Sequence, residues 1–282
     1  MIRKSGSTLA LFVAGFSFVS LSIGSEIESG DPPFEGTIFV DPDIITSNDP
    51  SSFSVLVFKG RAVRNMFDRR IDAFEEFHAF VFVACYDDGL AIEFQVNPEF
   101  GTEVAAAEVV NFYAPIFGRL PRALRTDIKT SWIHKGDQPF GGGNENLLIH
   151  TGIYEDDYID KGILEETLVH EAAHSSFDRK YANAEEWTNA QASDANFIST
   201  YARNFPVRED LAESFLLYLA VRHRQDRVSN AVVEAVRTTI PARLSFFDSL
   251  ILPMYPLAVD ARRSRTAPAA DAVEECGSVS EF

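Results

Sequence analysis

Residues 163–178 read ILEETLVHEAAHSSFD and place His170, Glu171 and His174 in an H-E-x-x-H spacing. On a helix, residues four apart lie one above the other on the same face. His170 and His174 can therefore offer two imidazole nitrogens to one metal ion. Glu171 projects about 100° around the axis, where it can act on a water at that ion without ligating it. Two histidines, a carboxylate base and an open coordination position are what zinc-assisted hydrolysis of a peptide bond requires. Ile163, Leu164, Thr167, Leu168, Ala172 and Ala173 keep a helical spacing of apolar or small residues, so the helix is expected independently of the motif. The competing reading is a buried helix whose imidazoles and carboxylate are satisfied by hydrogen bonds alone. Three such groups on one helix are costly to bury without partners.

A catalytic zinc site takes a third protein ligand. Candidates stand in residues 207–215, VREDLAESF. Glu209 and Glu213 are four apart and share one face of an expected helix, while Leu211, Phe215 and Leu219 repeat every four residues and can anchor it. Two carboxylates on one face allow a division of labour: one binds the metal, the other accepts the free N–H of a metal-bound histidine. From the residues alone Glu209, Glu213 and Asp210 all stand as ligand candidates. The alternative is a solvated acidic face paired to Arg208 or Arg222. Asp178, four residues after His174, either holds a ligand histidine or caps a turn. His134 and His150 end two expected strands, with a structural or substrate-edge role before a ligating one. His78 and His223 carry no special expectation.

The E-x-x-A-E pattern of Glu209 to Glu213, following the Tyr-containing stretch Ser199-Thr200-Tyr201-Ala202-Arg203, resembles the lethal-factor-like peptidases and, more loosely, the thermolysin-like gluzincins. The resemblance covers residues 164–219, about a fifth of the chain. It implies Glu209 as the third zinc ligand, Glu213 as its outer support, and Tyr201 as a hydrogen-bond donor to the oxyanion. Tyr201 stands eight residues before Glu209, one more than the family spacing. It also implies a zincin-like fold in which the strand before the metal helix pairs with extended substrate, which would make Asn146, Leu147 and Leu148 substrate-binding. The residues after His174 run SSFDRKY and lack the third histidine of a metzincin.

The elements that must position these groups follow from patterning. A short strand is expected within 37–40, turns at 41–43 and 48–50, a strand at 53–59 and a basic amphipathic piece at 62–71. Residues 77–86 and 90–96, joined by Asp87-Asp88-Gly89, read as a β-hairpin. A helix over 101–114 is expected to stop at Pro115. Strands are expected at 128–134 and 146–150, separated by a flexible loop over 135–144 containing Gly141-Gly142-Gly143. An acidic linker at 155–160 precedes the metal helix. Helices follow at 185–203, 207–222, 228–238 and from Pro241 to 250. Strands first and helices after indicate an α+β fold: an antiparallel or mixed sheet followed by a mostly helical half containing the H-E-x-x-H helix. The expected layout is a signal peptide at 1–24, a β-rich region at 25–100, a zincin-like catalytic domain at 101–260 and a loose tail at 261–282.

The chain has 282 residues, 46% hydrophobic and 24% charged, with a formal net charge of −17. So acidic a body argues against nucleic acid or an anionic membrane as a partner and suits either cationic substrates or solubility in salty surroundings; the peptide or protein substrate is expected from the metal motif. Arg3 and Lys4, the apolar run over 9–21 and Ser22-Ile23-Gly24 have the order of a secretory leader. The apolar run is short for a bilayer span. A secreted or extracytoplasmic protein is expected, without membrane attachment once the leader is removed. Two cysteines, Cys85 and Cys276, allow at most one disulfide. The expected function is a secreted zinc metalloendopeptidase with Zn2+ as cofactor. The alternative is a zinc-binding but catalytically inactive secreted protein or a surface-binding module.

Overall fold

The computed structural model describes residues 30–40, 43–258, Cys276 and Ser278. The expected leader, the first expected turn in part and most of the expected tail lie outside them. Among the described residues the strands are β1 (Phe53–Asp68), β2 (Ala73–Tyr86), β3 (Ala91–Val96), β4 (Thr130–Lys135), β5 (Gly141–Gly143) and β6 (Asn146–Thr151). The helices are α1 (Glu103–Arg119), α2 (Arg122–Arg125), α3 (Ile153–Asp160), α4 (Leu164–Ala173), α5 (Arg179–Tyr181), α6 (Glu185–Ser193), α7 (Thr200–Asn204), α8 (Asp210–His223), α9 (Asn230–Thr239) and α10 (Pro241–Ser249). The fold is α+β, built on one six-stranded sheet in the order β1-β2-β3-β4-β6-β5. β1, β2 and β3 pair antiparallel, β3, β4 and β6 pair parallel, and β5 returns antiparallel along β6. Strands from both sides of residue 100 therefore share one sheet.

The central strands are buried over most of their length, as parallel strands covered on both faces must be. One hydrophobic core joins Phe82, Phe94 and Ile133 of the sheet to Val110 and Phe117 of α1, Leu168 of α4 and Phe215 of α8. The 77–86 and 90–96 hairpin forms as expected. β1 is longer than the expected 53–59: the basic stretch continues as strand to Asp68, because its backbone pairs residue for residue with β2.

Several expectations give way to competing contacts. Pro115 lies inside α1 rather than ending it. Burial of Ala114, Ile116 and Phe117 against the sheet outweighs the roughly 3 kcal/mol that an interior proline costs. The acidic stretch 155–160 is the body of α3, with Tyr158 fully buried. The expected helix 185–203 is two helices. Asp194 leaves α6 to bind the backbone N–H of Ala242 and Arg243 and the Arg243 guanidinium, and Ser199 caps α7. Residues 37–40 form no strand, since the N–H groups of Ile38 and Val40 donate to the buried carboxylates of Glu213 and Glu166. The tri-glycine loop is the edge strand β5. Gly142 packs so closely on α4 that a Cβ there would overlap the carbonyl oxygen of Glu171. Only glycine allows that approach.

No helix among the described residues is long and apolar enough to cross a membrane. Cys85 of β2 is bonded to Cys276, with Cα atoms 5.9 Å apart and a sequence separation of 191. A cross-link over so long a loop stabilises by up to about 5 kcal/mol through the unfolded chain. A non-reducing peptide map should recover the linked pair. Cys276→Ser should lower the melting temperature by several degrees, and an unchanged melting temperature would show that the bridge contributes nothing.

Candidate metal centre

α4 and α8 pack side by side and bring three donor atoms to one point. His170 and His174 Nε2 lie 3.1 Å apart, and Glu209 Oε2 lies 3.3 Å from the first and 3.2 Å from the second. All three side chains are largely buried. Ligands about 2.0–2.1 Å from a tetrahedral zinc sit about 3.3 Å from one another, so this triangle has the size of a cation's coordination face. Among the described residues this is the group of histidine and carboxylate side chains that could hold a metal ion. It could supply three ligands to such an ion. The donor set, two neutral imidazoles and a carboxylate, suits zinc and related divalent ions.

Each imidazole is held from behind by a carboxylate. His174 Nδ1 is 2.8 Å from Asp178 Oδ2. The helix opens into a π-helical turn at His174–Asp178, which brings Asp178 beside the ring. Such single turns recur at functional sites. His170 Nδ1 faces Glu213 Oε1 at 3.5 Å, an electrostatic contact rather than a hydrogen bond, and neither atom has a hydrogen-bond partner among the described residues. The other Glu213 oxygen accepts from Ser199 Oγ at 2.9 Å and from the backbone N–H of Ile38 at 3.2 Å. Burial pushes the Glu213 carboxyl up to about 7, against the pull of His170.

Glu209 sits at the N-cap of α8. Its Oε1 accepts from Arg208 Nε at 2.6 Å, which turns Oε2 to the histidines. Burial would raise its pKa, but the two imidazoles hold the carboxyl far below the ordinary range. Burial likewise disfavours charge on the histidines. Glu209 for His170, and Asp178 with Glu209 for His174, nevertheless pull both imidazoles above their ordinary value. Tyr201 of α7 is half-buried with its hydroxyl in the neighbourhood of Glu209 and Arg208; burial and the Glu209 charge raise its pKa. Glu171 is buried beside the triangle.

Not every expected group joins this cluster. Asp210 is committed to Arg243 Nε at 2.9 Å and Gln191 Nε2 at 2.8 Å. Asn146, Leu147 and Leu148 lie in β6, which is paired on both sides, by β4 and β5. They are buried and have no free edge; the sheet's free edge on this side is β5. His134 and His150 sit opposite each other on β4 and β6 and stack 5.2 Å apart. Burial depresses both to about 4, and they stay out of the metal group. Spacing in the sequence marks Arg208 only as a charge partner and does not single out Arg69, since a hairpin-tip arginine gives no local signal.

Compared with protein-family profiles, with curated proteins and with solved structures, the chain matches none of them.

One divalent ion per chain should bind here, measured by calorimetry with zinc, and His170→Ala or Glu209→Ala should lower the affinity at least about tenfold. Because the metal-free imidazoles hold their protons above the ordinary histidine range, binding should release protons and weaken as pH falls. Affinity independent of pH between about 5 and 8 would contradict the ligand set.

Proposed function

We propose that the chain is a secreted zinc metalloendopeptidase of gluzincin type with a zincin-like arrangement, resembling the lethal-factor-like peptidases around its metal site. The observation that carries this reading is the convergence of His170, His174 and Glu209 with Glu171 buried alongside. A fold that needed only to satisfy these groups has no use for three ligand atoms aimed at one point. The Cys85–Cys276 bridge supports an oxidising compartment.

Zinc bound to the three ligands supplies Lewis-acid polarisation of a carbonyl and lowers the pKa of water toward about 7. The protein supplies the rest. Glu171 takes the proton from the attacking water and returns it to the leaving amine, the general base becoming the general acid. Tyr201 directs its hydroxyl toward the site, where it donates to the negative charge that develops on the carbonyl oxygen. Glu213 and Asp178 fix the orientation of His170 and His174. The free edge of β5 offers backbone groups to an extended peptide, in strand addition. With Gly142 seated on the Glu171 backbone, a peptide on that edge runs past the catalytic carboxylate.

Glu171→Gln should retain zinc and lose hydrolysis by a factor of about 10² to 10⁴, read by cleavage of a broad peptide mixture with a chelator control. Tyr201→Phe should lower kcat by about 10² with little change in KM. Cleavage at the normal rate by Glu171→Gln would refute the mechanism.

A further inference from the structure

The distal half of the β1–β2 hairpin reaches across the sheet to the metal centre. It is seated on β4, with Phe74 edge-on to Trp132 and Phe77 edge-on to His134. Its tip carries two successive arginines in opposite circumstances. Arg70 is fully engaged. Asp68 takes its Nε at 2.9 Å and Nη2 at 2.6 Å, and Glu99 takes its Nη1 at 2.8 Å. Asp68 also accepts the backbone N–H of Arg70 at 2.9 Å, which fixes the turn.

Arg69 turns the other way. Its guanidinium lies over Gly141 of β5, where any Cβ would collide with Nη2. The groups that act on its charge are Glu171, Tyr158, Tyr201 and Asp72, and Glu171 and Tyr201 belong to the surroundings of the metal group. Its Nε is buried without a hydrogen-bond partner, and no carboxylate among the described residues lies within ion-pair distance of it. Burial pulls its pKa down, the direction expected of a guanidinium short of counter-charge. Arg69 is half-buried, and a cation partly withdrawn from water without a partner is costly. The cost is offset if something outside the chain supplies the anion. Glu171 is in electrostatic reach but beyond ion-pair distance, and it is occupied with proton transfer. The planar guanidinium fork matches a carboxylate through two parallel hydrogen bonds.

We propose that Arg69 is a receptor for a carboxylate of the substrate, so that the enzyme selects peptides carrying a carboxylate beside the scissile bond. This rests on the peptidase reading and adds the substrate class to it. The carboxylate comes from an acidic side chain or from a free C-terminus. The Asp68–Arg70–Glu99 network holds the tip in place, and Gly141 keeps the recess beside Arg69 open. Arg69 is thus a specificity residue, brought to the site by the hairpin rather than by the metal-binding helices.

The test uses the full-length, zinc-loaded protein and peptides in which a single Glu is walked through the positions around the cleaved bond. Each is paired with its Gln isostere, and each is made with a C-terminal acid or amide. The wild type should favour one carboxylate over its neutral counterpart by about tenfold or more in kcat/KM, and the two peptide arms identify its source. In Arg69→Gln the ratio should fall to near one through loss on the carboxylate peptide alone, while Arg69→Lys keeps part of it. Gly141→Ala, which fills the recess from the opposite wall, should also erase the preference and serves if Arg69→Gln fails to fold. A wild type without preference, or a preference that survives Arg69→Gln and Gly141→Ala, overturns the proposal. Fluorescence anisotropy of the same peptides on Glu171→Gln protein, with and without zinc, separates the two claims. Arg69-dependent carboxylate binding without any cleavage by the wild type defeats the peptidase reading alone. Cleavage without carboxylate preference defeats the receptor alone.

Discussion

Two imidazole nitrogens 3.1 Å apart, with a carboxylate oxygen about as near to both, form an arrangement suited to positive charge between them. Neutral rings meeting acceptor to acceptor repel, and a proton shared within the group satisfies one contact at a time. A divalent cation satisfies all three at once. This requirement organises the surrounding side chains. Asp178 and Glu213 stand behind the rings, and Arg208 takes the Glu209 oxygen that faces away. Each outer partner fixes the direction of a lone pair, which is how a site reaches its geometry before the ion arrives.

The supports extend well beyond the two helices that carry the ligands. Glu166, one turn before His170 on α4, accepts the N–H groups of Val40 at 2.7 Å and Ile44 at 3.0 Å. Glu213 accepts that of Ile38. The segment before β1 is therefore tied through backbone N–H groups to α4 and to α8, across the rear of the site. On the opposite side β5 presses its glycines onto Glu171. Ser175 joins the two elements, accepting from Gly143 N–H at 2.8 Å and donating to the Asn146 carbonyl at 2.7 Å. The helix α4 is thus held between an extended strap and a sheet edge, which fixes Glu171, His170 and His174 relative to β5.

What could be read in the chain was what local spacing encodes. The i, i+4 pair His170 and His174, the alternation around Asp87-Asp88-Gly89 and the four-residue repeat from Glu209 to Glu213 all depend on neighbours along the chain, and each corresponds to an element of the structure. The misses share a cause. Three glycines carry no strand signal, so β5 is a strand only because β6 lies beside it, and the edge of the sheet falls one strand beyond Asn146, Leu147 and Leu148. Pro115 obeys core burial over its own preference. Cys85 and Cys276 meet across nearly the whole chain, which no spacing announces. Arg69 reaches the cleft because a long hairpin folds over β4, and its partnerless state is visible only with the surrounding side chains in place.

The central claim is that two imidazoles and one carboxylate from this chain hold a cation and leave a position for solvent. Zinc K-edge X-ray absorption on protein reconstituted with one equivalent of metal addresses it most directly. The account predicts two imidazole rings in the multiple-scattering pattern, Zn–N distances of about 2.0–2.1 Å and one carboxylate oxygen, with a further light atom from water completing about four-fold coordination. A shell containing sulfur, a single imidazole, or a third imidazole closing the site against solvent would contradict it.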